Sequence, residues 1–244
     1  MNMRNMRIHL PMARLLPVLI SIYVLVCLSC ASKPPVSPPL SAPVTKPEGI
    51  YHTVAKSQTL WRICKTYNVN MQEVAELNNI KNTSLIRVGD KIFIPGAKQQ
   101  LQVNVTPPDT GEAVPEIVLN KGVFIWPVKG KIIKPFGMSD GFKNDGIDIA
   151  ASTGSKVVAA YSGKVVFASD LKGYGNTIII QHNDKYATVY ANNKSNLVKK
   201  GAVVKTGQLI AMAGNSSGVT TTIPHLHFQI RQQNQPRNPL FYLP

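Results

Sequence analysis

From residue 122 onward the chain consists of short β-branched runs that glycine, asparagine and proline keep cutting off. Lys156 to Ala160, Gly163 to Ala168, Thr177 to Gln181, Ala187 to Tyr190, Gln208 to Ala213 and Leu226 to Arg231 each have the length of a strand. None carries a 3.6-residue apolar period long enough for a helix. That pattern predicts an all-β antiparallel domain over residues 122–244.

Proline divides what precedes it. Pro34, Pro35, Pro38, Pro39, Pro43 and Pro47 crowd residues 30–49, a composition that favours extended polyproline and makes a semi-rigid spacer. Residues 97–121, with Gln99, Gln100, Pro107, Pro108, Gly111 and Pro115, read as a second linker. Between them, residues 50–96 form a small module. It opens on a strand, Tyr51 to Val54. Leu60, Ile63, Cys64 and Tyr67 follow at helical spacing, and Met71, Val74 and Leu77 mark a second short helix ending near Asn78. Val88 to Pro95 reads as a turn and a strand stopped by proline. The predicted order is βααβ.

Residues 1–29 read as an export leader. Arg4, Arg7 and Arg14 precede an apolar stretch from Leu15 to Leu28, which is shorter than the roughly 20 residues a membrane-spanning helix needs. Export sets the meaning of the charge. With 27 basic and 12 acidic residues the formal net charge is +15. On an exported chain that favours anionic envelope material or an acidic protein over nucleic acid. Cysteines are few: Cys27 leaves with the leader, Cys30 sits at its end, and Cys64 falls in the helical pattern as a small apolar residue.

Two segments hold side chains able to do chemistry. Asn144-Asp145-Gly146-Ile147-Asp148 and Pro224-His225-Leu226-His227-Phe228 each place polar residues at alternate positions, and alternate residues of a strand share a face. A carboxylate and imidazoles on converging strands suit a metal, since catalytic zinc takes three protein ligands and a water. Two histidines on one strand are, alone, as often ordinary surface or core residues.

The surrounding residues resemble known families. Cys27-Leu28-Ser29-Cys30-Ala31-Ser32 resembles a bacterial lipobox, which implies lipidation at Cys30, and Ala31 after it implies sorting to the outer membrane. Tyr51-His52-Thr53-Val54, Ser57 to Ile63, Asn78 and Ile86 to Pro95 resemble a LysM repeat, a module that binds the glycan of peptidoglycan or chitin. The resemblance implies a sugar site between Ser57, Gln58, Thr59 and Leu60 on one loop and Asn78 and Ile80 on the other, with Trp61 in the core. Where LysM repeats usually carry Gly-Asp, this chain has Ser57-Gln58.

Trp126-Pro127-Val128-Lys129-Gly130, Phe136-Gly137, Gly146 to Ala150, Gly173 to Asn176, Tyr190-Ala191, Gly207-Gln208 and Pro224 to Phe228 resemble the lysostaphin/LytM-type zinc endopeptidases. Active members take zinc on the histidine and aspartate of H-x-G-x-D and on the second histidine of H-x-H. Further histidines, the first of H-x-H and one after Tyr-Ala, handle the attacking water. Asp148 and His227 match ligands and His225 matches a catalytic histidine, but the other two positions hold Asn144 and Asn192. A carboxamide is a poor zinc ligand and cannot shuttle a proton near neutral pH. The resemblance therefore implies no catalytic residues and no cofactor. Zinc enters only if the residual candidates Asp148 and His227 still bind it.

Lipobox, spacer, LysM module, linker and altered LytM domain together resemble the NlpD-type lipoproteins, which activate periplasmic N-acetylmuramoyl-L-alanine amidases during cell separation. The expected partners are peptidoglycan, such an amidase and the bilayer through Cys30, at the periplasmic face of the outer membrane. The expected docking groove is lined by Asn144, Asp148, Asn192, His225 and His227. An active zinc endopeptidase and a purely structural wall tether remain the alternatives.

Overall fold

The computed structural model describes residues 48–105, 113–139, 141–217 and 223–244. The leader over 1–29, the lipidation site Cys30, the spacer as far as residue 47 and the middle of the second linker lie outside these residues.

The small module follows the expected order: β1 (Gly49–Thr53), α1 (Leu60–Tyr67), α2 (Met71–Leu77) and β2 (Lys91–Pro95). β1 begins two residues before the apolar pattern does, because Gly49 pairs with Pro95 at the end of the antiparallel ladder. Thr59 caps α1 by accepting from Arg62 N, and Asn68 ends it in the left-handed conformation, φ 53°. Asn70 caps α2 in the same way, accepting from Glu73 N. Leu60, Ile63, Val74 and Ile94 are fully buried between helices and ladder. Cys64 belongs to this core, and burial pushes its thiol up to about 12, so it is an inert apolar residue. Trp61 packs half-buried against the same cluster with Lys65 Nζ 4.9 Å over its ring.

The second linker lies against the helices rather than clear of them. Gln72 donates to Val118 O at 3.1 Å and accepts from Val118 N at 2.8 Å, imitating one rung of a β ladder. Tyr67 Oη accepts from Leu101 N at 2.9 Å, and Val103 is buried in the module's core.

The C-terminal domain is antiparallel β throughout. Its strands are β3 (Ile132–Lys134), β4 (Gly137–Ser139), β5 (Phe142–Asn144), β6 (Ile147–Ala150), β7 (Lys156–Val158), β8 (Gly163–Leu171), β9 (Gly175–Gln181), β10 (Tyr186–Asn196), β11 (Val203–Val204), β12 (Leu209–Ala213), β13 (His225–Gln232) and β14 (Gln235–Arg237). The main sheet runs β11-β8-β9-β10-β13-β6-β3. β12 bridges β10 to β7, β14 extends from β13, and β4 and β5 form a separate hairpin. Alternation decides the faces. Ile147 and Ile149 of β6, with Leu226, Phe228 and Ile230 of β13, all fall in one core cluster with Phe124, Tyr190, Phe241 and Tyr242. The intervening residues of β6 and β13 are left on the opposite, polar face. Among the described residues no helix is long and apolar enough to cross a membrane.

The βααβ module and the β domain meet at a polar clasp. Glu76 of α2 is 3 % exposed, and its carboxylate accepts from Arg237 Nε at 2.8 Å, from Arg237 Nη2 and from Asn238 N at 3.1 Å. Asn238 Nδ2 donates to Glu76 O at 2.9 Å and to Asn79 Oδ1 at 2.7 Å, while Asn79 Nδ2 donates to Phe136 O at 3.0 Å. Gly137, at φ +96°, comes so close that a Cβ there would stand 2.0 Å from Leu77 O. Only glycine permits that approach.

Candidate functional site

β6 and β13 pair in register, His227 opposite Asp148 and His225 opposite Ala150. That register sets Asp148 Oδ1 2.7 Å from His227 Nδ1. Gly146 makes the approach of the two strands feasible, since a Cβ there would lie 2.3 Å from Phe228 O. Burial alone would raise the Asp148 carboxyl. The hydrogen bond from His227, with the charges of His227, His225 and Lys134, outweighs it and holds the carboxyl below its usual range.

The five expected groove residues are placed unequally. Asp148 and His227 face one another and keep side-chain exposures of 13 % and 15 %. Asn192 meets His225, its amide donating to His225 O at 3.0 Å and lying 3.3 Å from His225 Nε2, while Oδ1 accepts from Ser217 N at 3.0 Å. Both are buried, and His225 Nδ1 donates to Ile223 O at 3.0 Å. Asn192 reaches this position because β10 bulges there: the pairing with β9 skips between Tyr190 and Asn193, and Asn192 takes φ 65°. Asn144 is buried too, with its amide turned to Pro135 O at 3.1 Å and Oδ1 accepting from Gly146 N at 3.3 Å. The strand expected to carry Asn144, Gly146 and Asp148 on one face breaks at Asp145 and Gly146, so Asn144 belongs to the β4–β5 hairpin and not to β6.

Strand β13 adds two residues that the sequence reading passed over. Gln229 Nε2 lies 2.9 Å from His227 Nε2, and Arg231 Nη1 donates to Gln229 Oε1 at 2.8 Å. Tyr174 closes the group, its ring centroid 5.6 Å from that of His227. Burial raises the Tyr174 hydroxyl, Gln229 lowers it, Asp145 raises it and Arg231 lowers it, with burial prevailing. The signal was present: His225, His227, Gln229 and Arg231 alternate along one face.

These donors do not fit a catalytic zinc. Only Asp148 and His227 oppose one another, where three protein ligands are needed. The third family position, Asn144, spends its amide on main-chain groups. Among the described residues, no three His, Cys, Asp or Glu side chains stand close enough to hold a metal ion.

In the small module, Ser57 takes φ 65°, the conformation that makes glycine usual at this point of the loop. Gln58 Oε1 accepts from Ala55 N at 2.9 Å and bonds His52 Nε2 at 2.8 Å, so its side chain braces the loop. Ser57 and Thr59 are exposed, Leu60 is buried, and Ile80 packs half-buried on the core. Asn78 ties α2 to β2, accepting from Phe93 N at 2.7 Å and donating to Phe93 O at 2.9 Å. A groove bordered by Asn79, Ile80, Leu85, Ile86 and Lys91 opens beside it.

Comparison with known proteins follows this division. The profile of the LysM domain matches residues 52–95 and that of Peptidase family M23 matches residues 142–239. The lipoprotein YgeR of Escherichia coli (strain K12) is 38 % identical over 212 residues, covering 80 % of this chain and 82 % of that protein. Murein hydrolase activator NlpD of Escherichia coli (strain K12) is 50 % identical over 120 residues, 49 % of this chain and 31 % of that protein. Outer membrane antigenic lipoprotein B of Histophilus somni is 48 % identical over 136 residues, 55 % of this chain and 36 % of that protein. The chain thus spans most of the length of YgeR and about a third of the other two. It belongs to the NlpD-type lipoproteins, a LysM domain joined to a Peptidase family M23 domain and lipid-anchored at the periplasmic face of the outer membrane.

Proposed function

We propose that the protein binds peptidoglycan through its LysM domain and activates a periplasmic N-acetylmuramoyl-L-alanine amidase during cell separation, without hydrolysing the wall itself. The observation that carries this reading is the state of the β6–β13 face. Two of its five family positions are asparagines locked to main-chain groups, and the remaining carboxylate–imidazole pair is closed on itself. Exposed Ile223, whose carbonyl accepts from His225 Nδ1, and exposed Phe142, on the same short strand as Asn144, offer apolar surface suited to docking a partner. From Lys121 to the C-terminus there are 15 basic and 5 acidic residues, which favours an acidic partner element or the carboxylates of wall peptides. The name of the 50 % identical relative, murein hydrolase activator, supports the same direction.

The glycan contacts are assigned to Ser57, Gln58, Thr59, Leu60, Asn78 and Ile80, the exposed Ser57 and Thr59 touching sugar directly and the others holding the two loops in shape. Dye release from labelled sacculi tests the whole reading. The full-length protein alone should release nothing, and adding it to a purified amidase should raise that enzyme's rate severalfold. Release by the protein alone restores the endopeptidase alternative. Sacculus binding without any change in amidase rate leaves the structural tether.

A further inference from the structure

The loss of two histidines is not the only feature that sets this face against a metal. Arginine has donors and no acceptor. Arg231 Nη1, 2.8 Å from the Gln229 side chain, therefore fixes which end of that amide faces it: Oε1. The other end, Nε2, is then turned to His227 Nε2 at 2.9 Å. An amide N–H pointed at an imidazole nitrogen requires a lone pair there, so the proton of the neutral ring resides on Nδ1. That proton is donated to Asp148 Oδ1 at 2.7 Å. Metal-bound histidines show the reverse arrangement: the ring nitrogen away from the metal donates to a carboxylate, carbonyl or water, leaving the other lone pair for the ion.

We propose that Gln229, oriented by Arg231, is a positioning residue that holds His227 in the Nδ1–H tautomer and so withholds from cations the nitrogen that faces Asp148. This rests on reading Asp148 and His227 as the family's metal positions. A consequence is that restoring a histidine at 144 is insufficient to rebuild the site. A carboxylate at 229 would accept a proton from Nε2, so that the ring, donating to Asp148 on its other side, carries both protons and a cation need displace only the one on Nδ1.

Two measurements on the full-length protein decide it. Long-range proton–nitrogen NMR with labelled histidine should place the His227 proton on Nδ1 alone, and find both ring nitrogens protonated in Q229E. Zinc titration should find N144H/Q229E binding at least ~10-fold tighter than N144H, the usual scale for a residue that orients a ligand. A His227 proton on Nε2 in the unaltered protein overturns the proposal, whether or not Q229E folds. Equal zinc affinity of the single and double variants overturns it as well. Amidase stimulation by the unaltered protein is read separately, so failure of the activator role and failure of the tautomer lock remain distinct.

Discussion

His182 shows how far a single residue can tie this fold to pH. Its ring lies 5.5 Å from Phe124 and 5.6 Å from Tyr161, and its nitrogens bond Ser162 O at 2.9 Å and Thr188 Oγ1 at 2.8 Å. Burial among them lowers its pKa to about 4, the Ser162 carbonyl opposing weakly. A histidine whose folded pKa lies below the unfolded value stabilises fully above the unfolded value, near 6.5. That contribution is lost as pH falls toward the folded value, because the unfolded chain takes up the proton first. Denaturant unfolding between pH 7 and pH 4 should therefore lose about 3 kcal/mol through this residue. His182→Gln should flatten the slope over that window. Asp148 acts later. Its depressed carboxyl stabilises above an unfolded value of about 3.9 and loses that only as pH falls further.

At the scale of elements, the Asp148–His227 pair depends on how closely β6 and the segment before it approach β13. Gly146 is the tightest point, with room for no side chain before Phe228 O. Gly146→Ala should cost about 1–3 kcal/mol by overpacking, measured by thermal or denaturant unfolding. It should also weaken amidase stimulation more than it weakens sacculus binding. The strands were legible in advance because β-branched runs and their turn residues are local signals. Alternation on each strand set His225 with His227 on one face and Asp148 on another, but the register that puts Asp148 opposite His227, 79 residues away, came only with the pairing of β6 and β13. The breaks were not legible. Asn144 departs from β6 at a two-residue bend, and Asn192 rides a bulge in β10 with a left-handed backbone. Neither leaves a mark in residue order, because a bulge is a compromise between the two ladders that one strand must satisfy.

For the whole molecule the consequential contact is the clasp between LysM helix α2 and the segment after β13. Glu76 is buried and gives its carboxylate to Arg237 and Asn238, so removing Arg237 strands a buried carboxylate without its counter-charge, whereas Arg237, 26 % exposed, can turn to water when Glu76 is removed. Arg237→Ala should cost about 3 kcal/mol, Glu76→Ala less, and the E76A/R237A double variant should cost less than the two single losses combined. Limited proteolysis of the linker over residues 97–121 should accelerate in either single variant, since that segment is pinned on one side by Gln72 and Tyr67 of the same module. Cleavage at an unchanged rate would mean that the clasp does not hold the two domains together. The loop after α2 shares this junction through Asn79, so the LysM module and strand β13 are mechanically connected through β14.

Sequence by itself determined the modules, the strand content and the absence of histidine at positions 144 and 192. Each follows from local chemistry: periodicity, turn residues and the identity of side chains at fixed spacing. Tertiary structure alone decided that both asparagines are locked to backbone, that Gln229 and Arg231 complete the His227 pair, and that Glu76 reaches Arg237 161 residues away. Those contacts are hydrogen bonds between elements distant in the chain. Their partners are chosen by packing, which places a donor beside an acceptor only once the sheet has closed.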